Sequence, residues 1–192
     1  MMKTIRAIRI LIPVLVLIAC GVDEPLKQPA DDISDFTVNS AQSDAVQGDF
    51  IYRLISEKEQ YTEGEEIKVY AELEYNGAQE NIEISHAASP FHFPLSEETR
   101  KYVVEYAMNE PLLTTRLTKG EPLHEDYTGS GGYSAEEDEA YIEFVQRIME
   151  KEFPPGYYKI DGFANFTATS SAGSATPYEI HTQIDFKVVP EN

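Results

Sequence analysis

Three histidines are the residues of this chain best suited to hold a metal ion. His86 and His92 lie in a segment broken by prolines, and His124 begins the sequence His-Glu-Asp, which adds two carboxylates. Imidazole and carboxylate groups are common zinc ligands, so these histidines are weak candidates for a zinc site. No His-Glu-x-x-His sequence unites them, and the chain has one cysteine. His86 also lies in phase with a predicted core face, where a hydrogen-bonded structural histidine is the alternative, and we expect no cofactor.

Catalytic patterns receive little support from the sequence. No Gly-x-Ser-x-Gly sequence occurs, and residues 129–132 (Gly-Ser-Gly-Gly) lack the spacing of a nucleophile elbow. No Asp-x-Asp-x-Asp-Gly calcium loop occurs either. The four acids at positions 136–139 have another explanation, because negative charge is favourable in the first turn of a helix. We therefore predict that the protein is not an enzyme.

Four aromatic residues are candidates for recognising a partner protein. Phe91 and Phe93 lie between Pro90 and Pro94, and two tyrosines, Tyr127 and Tyr133, flank a glycine-rich segment. Aromatic side chains on loops of a rigid scaffold are common recognition anchors. The alternative for the two phenylalanines is that they close the end of the core.

The only cysteine follows an apolar run and a basic lead. Lys3, Arg6 and Arg9 precede residues 10–19, which would form a helix of about 15 Å, too short to cross a bilayer. This is the pattern of a signal peptide covering residues 1–19. Residues 17–20 (Leu-Ile-Ala-Cys) resemble the lipobox of bacterial lipoproteins. The resemblance implies a diacylglyceryl anchor on Cys20 at the extracytoplasmic face of the cell membrane, and Gly21 fits a Gram-positive source.

The charge balance limits the possible partners. The chain has 192 residues and a formal charge of −19, and loss of the three positive residues in the first nineteen positions takes it to −22. Such a charge argues against binding to nucleic acid or to anionic lipid headgroups. Cations and basic protein surfaces remain possible partners.

Composition divides the mature chain into a tether and a domain. Residues 20–47 are polar and acidic, and they predict a disordered, flexible tether. Residues 48–190 contain strands with alternating apolar positions, the clearest at 67–75. Asn76-Gly77 predicts a type I′ hairpin to a strand at 81–86, and the segment from 124 to 133 is predicted to be a loop.

One helix interrupts the strands. Ser134 and Glu137 resemble a capping box, and apolar residues at helical spacing follow until the prolines at 154 and 155. The prediction is therefore a mostly β antiparallel sandwich with one inserted α-helix.

Two motifs suggest the class of sandwich. Residues 61–69 resemble the opening strands of bacterial Ig-like modules, and residues 153–160 are similar to the Pro-Gly-Tyr entry into their penultimate strand. The order of the predicted strands and turns along the chain is also similar to that of the Ig-like domain of intracellular proteinase inhibitors from bacilli. The resemblance implies an Ig-like fold. This chain departs from those inhibitors in its export signal and in the helix before the Pro-Gly entry.

The sequence thus predicts a lipid-anchored, non-catalytic binding or accessory module that recognises another exported or wall-associated protein. An extracytoplasmic domain that binds or senses calcium or zinc is the alternative.

Overall fold

The computed structural model describes residues 33–170 and 173–191, so the predicted signal peptide and Cys20 lie outside the described residues. The chain begins with a 3-10 turn at Ile33–Asp35. Twelve strands and one α-helix follow among the described residues: β1 (Gln42–Gln47), β2 (Phe50–Ser56), β3 (Gln60–Thr62), β4 (Val69–Tyr75), β5 (Asn81–His86), β6 (Phe91–His92), β7 (Leu95–Glu97), β8 (Tyr102–Val104), β9 (Leu113–Thr118), β10 (Leu123–Asp126), α1 (Glu139–Met149), β11 (Gly156–Thr169) and β12 (Ala175–Val189).

The strands form two sheets that enclose one core. The four-stranded sheet has the order β1-β2-β4-β10, and the eight-stranded sheet follows β3-β12-β11-β5-β9. Strands β6 and β7 also pair with β11, and β8 pairs with β7. Side chains at alternate positions of both sheets are buried, including Tyr52, Leu73, Ile160 and Ile184. The predicted β-sandwich is confirmed.

One side of β11 is paired with three short segments in succession. Strands β5, β6 and β7 pair with its end, middle and beginning. Between them, the carbonyls of Pro90 and Pro94 accept hydrogen bonds from Asn165 N (2.7 Å) and Asp161 N (3.1 Å). A proline lacks the N–H donor but keeps its carbonyl. Prolines are rare in strands at the centre of a sheet, yet Phe91 and His92, which lie between these two prolines, pair with the central strand β11.

The ordered domain begins earlier than the sequence predicts. Strand β1 pairs along its whole length with β2 through a two-residue turn, in which Gly48 has φ of +58°. The predicted tether of residues 20–47 is therefore too long, and the domain boundary at 48 is wrong. The prediction failed because β1 (Gln-Ser-Asp-Ala-Val-Gln) has no alternating apolar face and joins the sheet at its edge by backbone hydrogen bonds.

The hairpin predicted at Asn76-Gly77 does not form. Strands β4 and β5 belong to different sheets, so the chain crosses the sandwich at this point. Asn76 N donates to Asp49 O (2.8 Å), which joins the crossing to the β1–β2 turn. The segment predicted to be a loop at 124–133 also differs, because its first residues lie in β10, which pairs with β4.

Helix α1 begins later than predicted. Its N-cap is Asp138, whose side chain accepts from Ala140 N (2.9 Å), while Ser134 and Glu137 close a separate turn just before it. The buried face of α1 carries Phe144, Val145 and Ile148. In the part of the chain described here, no helix has the length and apolar character needed to cross a membrane.

Candidate functional site

The three candidate metal ligands do not come together. His86 and His92 border one groove on the eight-stranded sheet, whereas His124 lies on the four-stranded sheet. There His124 packs against Tyr70, with ring centres 4.6 Å apart, and its Nε2 is 3.2 Å from Asp126 Oδ1. Across residues 33–170 and 173–191, no three His, Cys, Asp or Glu side chains are placed to hold a metal ion.

His86 has a structural role. Its Nδ1 is 2.9 Å from the carbonyl oxygen of Ala87, and its Nε2 is 2.8 Å from Thr115 Oγ1. Because a carbonyl only accepts, Nδ1 donates to Ala87 O, and in the neutral ring Nε2 accepts from the threonine hydroxyl. Both nitrogens are therefore occupied by contacts within the fold.

Three of the four predicted aromatic anchors are part of the core. Phe91 is 0 % exposed and Phe93 is 1 % exposed, and Phe93 packs edge-on against Tyr127 with ring centres 5.7 Å apart. Tyr127 is buried too, and burial raises the pKa of its hydroxyl to about 12 against the opposing effect of a hydrogen bond from Ser130 N. A buried side chain cannot contact a partner, so the prediction is wrong for Phe91, Phe93 and Tyr127. The alternative placed the two phenylalanines at the end of the core, and their burial agrees with a place in the core.

Tyr133 is the one predicted anchor that lies at the surface. It is 44 % exposed, and its hydroxyl accepts from Gln146 Nε2 (2.9 Å) on α1. The neighbouring glycine-rich segment holds Ser130, whose hydroxyl donates to Ala107 O (3.0 Å) and accepts from Ala107 N (3.1 Å). Ser130 therefore links the glycine-rich segment to the loop at Ala107 through two hydrogen bonds.

The outer face of the eight-stranded sheet carries a row of rings. His92 of β6 stacks on Phe163 of β11 with ring centres 4.4 Å apart, and Phe163 stacks on His181 of β12 at 5.0 Å. Tyr106 closes one end of the row, edge-on to His92 at 5.9 Å. We call these four residues the ring row. It crosses three segments of one sheet in register, because Phe163 is paired with His92 on one side and with His181 on the other.

Acidic groups surround the ring row. Burial lowers the pKa of His92, and the nearby carboxylates of Glu179 and Glu110 oppose that effect. Glu179 Oε1 also lies 2.7 Å from His181 Nε2. The surface thus combines aromatic edges with negative charge. It can bind a partner group that is cationic or that donates hydrogen bonds.

Sequence reasoning missed Phe163 and His181, although a signal was present. In β11 the residues at even positions face the core, and those at odd positions, including Lys159, Asp161 and Asn165, face outward. Phe163 shares the outward phase with these polar residues. A large apolar residue on the wet face of a strand is a signal that could have marked Phe163 itself, although not the row that it forms with its neighbours.

A second contact missed at the sequence level holds the start of the domain. Phe36 stacks on Tyr157 with ring centres 4.7 Å apart. The carboxylate of Asp185, 4 % exposed, accepts from Asn39 N (2.9 Å), Asn39 Nδ2 (2.8 Å) and Ser40 N (2.7 Å), and also from the Tyr157 hydroxyl. We call residues 36–41 the strap. It fixes the point at which the preceding chain leaves the sandwich.

No protein-family model matches this chain, and no curated protein is similar enough to count as a relative.

Proposed function

We propose that this protein is a lipid-anchored, non-catalytic binding module that recognises another exported or wall-associated protein. The main support for this proposal is the ring row on the outer face of the eight-stranded sheet. Aromatic groups are enriched where protein surfaces meet partners, and they contribute a large share of binding energy. The flanking positions Asn165, Glu179 and Gln183 are exposed, so the face is open to a partner.

The proposed anchor rests on residues 17–20 and on the length of chain that follows. Acylation of Cys20 would supply two chains, which stable membrane attachment requires. The residues between Cys20 and the strap at Phe36 span about 55 Å at full extension. A domain held by such a connection could reach proteins at the membrane surface and in the adjacent wall.

Site-specific photocrosslinking in the producing cell tests the binding function. A photoreactive amino acid at position 181 lies at the open end of the ring row, and a matched control at position 46 replaces Val46, which is 65 % exposed in β1 of the other sheet. We expect the probe at 181 to trap one exported protein that the probe at 46 does not trap. The same products from both positions, or none from 181, would overturn the proposal.

The anchor is tested separately. We expect mass spectrometry of the mature protein to find Cys20 as the first residue, carrying a thioether-linked diacylglyceryl group. The Cys20→Ala variant should then leave the membrane fraction. A mature chain that begins elsewhere with an unmodified thiol would contradict the anchor without bearing on the binding face.

A further inference from the structure

A groove adjoins the ring row, between the outer face of β11 and the segment that leads into β9. Its volume is about 330 Å³, at the lower limit of the 300–1,000 Å³ typical of ligand pockets. This size suits one or two side chains of a partner better than a larger ligand. The lining of the groove includes His86, His92, Glu110, Leu112, Asn165 and Thr167.

The charge of the groove is negative. Glu110 is exposed and, within the described part of the chain, forms no ion pair, while no lysine or arginine lines the groove. The side chains of Asn165 and Thr167 add a carbonyl oxygen and a hydroxyl oxygen, which can accept hydrogen bonds. Oxygen acceptors beside an unpaired carboxylate favour a cationic group with several N–H donors.

The rings beside the groove argue against a carbohydrate. A sugar packs on the free face of an aromatic ring, but Phe163 covers one face of His92, and Tyr106 lies across from His92 at 68° with ring centres 5.9 Å apart. His86 has both ring nitrogens occupied. Leu112, 85 % exposed, offers instead an apolar surface suited to an aliphatic stem.

We propose that the groove binds an arginine side chain of the protein partner. The planar guanidinium presents five donors, so one group can pair with a carboxylate such as Glu110 and also donate to the oxygen acceptors of the same groove, and its methylene stem suits the exposed apolar side chain of Leu112. Lysine has the same charge but only three donors on one atom, so it fits this set of acceptors less well. The inference rests on the proposed binding function, since it names the chemistry that the partner must present.

Peptide titration followed by NMR tests the groove. The probe is a capped pentapeptide, Gly-Leu-Arg-Leu-Gly, added to the full-length chain in neutral detergent, with matched peptides that carry lysine or citrulline at the centre. We expect the arginine peptide to shift the amide signals of Asn165 and Thr167 and to leave those around His124 unchanged. The lysine peptide should bind more weakly, and the uncharged citrulline peptide weakest of all.

Two variants of equal charge separate recognition from general attraction to an acidic protein. Glu110→Gln removes the groove carboxylate, and Glu121→Gln removes an exposed carboxylate in the turn between β9 and β10. We expect Glu110→Gln to weaken binding of the arginine peptide about tenfold and Glu121→Gln to leave it nearly unchanged. Equal effects of both variants would overturn the inference. So would competition by chitooligosaccharide, which would indicate a carbohydrate site.

The crosslinking and peptide experiments test the binding function and the arginine groove separately. If position 181 traps an exported protein and Glu110→Gln leaves both this product and peptide binding intact, the groove assignment is wrong and the binding function stands. If no exported protein is trapped, the function is overturned whatever the peptide does.

Discussion

Asp185 accepts hydrogen bonds from both the backbone and the side chain of Asn39, a residue 146 positions earlier in the chain. The backbone N–H of Asp185 donates in turn to Ser40 O (2.9 Å). One buried carboxylate near the end of the last strand thus holds the start of the domain. Burial alone would raise the pKa of this carboxyl, but the hydrogen bonds from Tyr157, Ser40 and Asn39 outweigh it and lower the pKa.

The first prediction concerns this carboxylate. We expect Asp185→Ala to reduce the free energy of unfolding by about 3 kcal/mol, because it removes several charge-assisted hydrogen bonds and leaves their donors unpaired. Urea unfolding measures the loss. Hydrogen exchange should show faster exchange at Asn39 and Ser40 than in β11. A variant with unchanged exchange at these amides would contradict the role of Asp185.

The contribution of Asp185 should also depend on pH. Because the pKa of this carboxyl is lowered in the folded state, its stabilisation is complete above the unfolded-state pKa of about 3.9 and is lost as the pH falls through the folded-state value. The difference in stability between the wild type and Asp185→Ala should therefore be constant at neutral pH and shrink below about pH 4. Urea unfolding at a series of pH values checks this, and a difference that persists in strong acid would refute it.

The second prediction concerns a buried ion pair. Glu97 is 0 % exposed and pairs with Arg100 (3.2 Å), which also donates to Pro155 O. We expect Arg100→Met to cost about 3–5 kcal/mol, because it leaves a charge buried without its partner. The control is Arg53→Met, which breaks a partly exposed pair with Glu74 and should cost about 1 kcal/mol or less. Similar losses in thermal unfolding would disprove the distinction.

The third prediction concerns a hydroxyl in the core. Tyr52 is fully buried, and its hydroxyl has no hydrogen-bond partner among the described residues. Removing an unpaired buried polar group relieves a desolvation cost, so Tyr52→Phe should leave stability unchanged or raise it by about 1 kcal/mol. Chemical denaturation provides the measurement. A clear loss of stability would mean that the hydroxyl binds a buried water molecule.

The fourth prediction compares two aromatic residues that the sequence placed in the same class. Phe91→Ala should cost about 3–5 kcal/mol, because it opens a cavity between the sheets. Tyr133→Ala should change stability by about 0.5 kcal/mol, since this residue lies at the surface. Calorimetric unfolding of both variants decides the matter, and comparable destabilisation would refute the placement of Phe91 in the core.

The sequence predicts well those features that depend on alternation within a strand. Strand β2 alternates buried and partly exposed residues from position 50 to 54. The predicted alternation from Ile67 to Tyr75 corresponds to a buried face that begins two residues before β4 and continues along it. Both strands have one wet and one dry face, so their periodicity is visible without knowledge of their neighbours. The two-sheet sandwich follows from several such strands.

Features that depend on distant partners could not be predicted. Asn76-Gly77 is suited to a hairpin, but the turn dipeptide does not reveal that β5 joins the sheet of β11. β10 is polar because it is an edge strand, so its sequence resembles a loop. The ring row required the pairing of Phe163 with both His92 and His181, which no local pattern contains.

The strap gives the domain a defined response to mechanical load. Any pull on the chain ahead of residue 33 reaches the Phe36 stack and the Asp185 hydrogen bonds before it reaches the paired strands. Detachment of residues 36–41 would lengthen the connection by about 20 Å while both sheets keep their register. These six residues would thus detach first under load, before the hydrogen bonds between paired strands are strained.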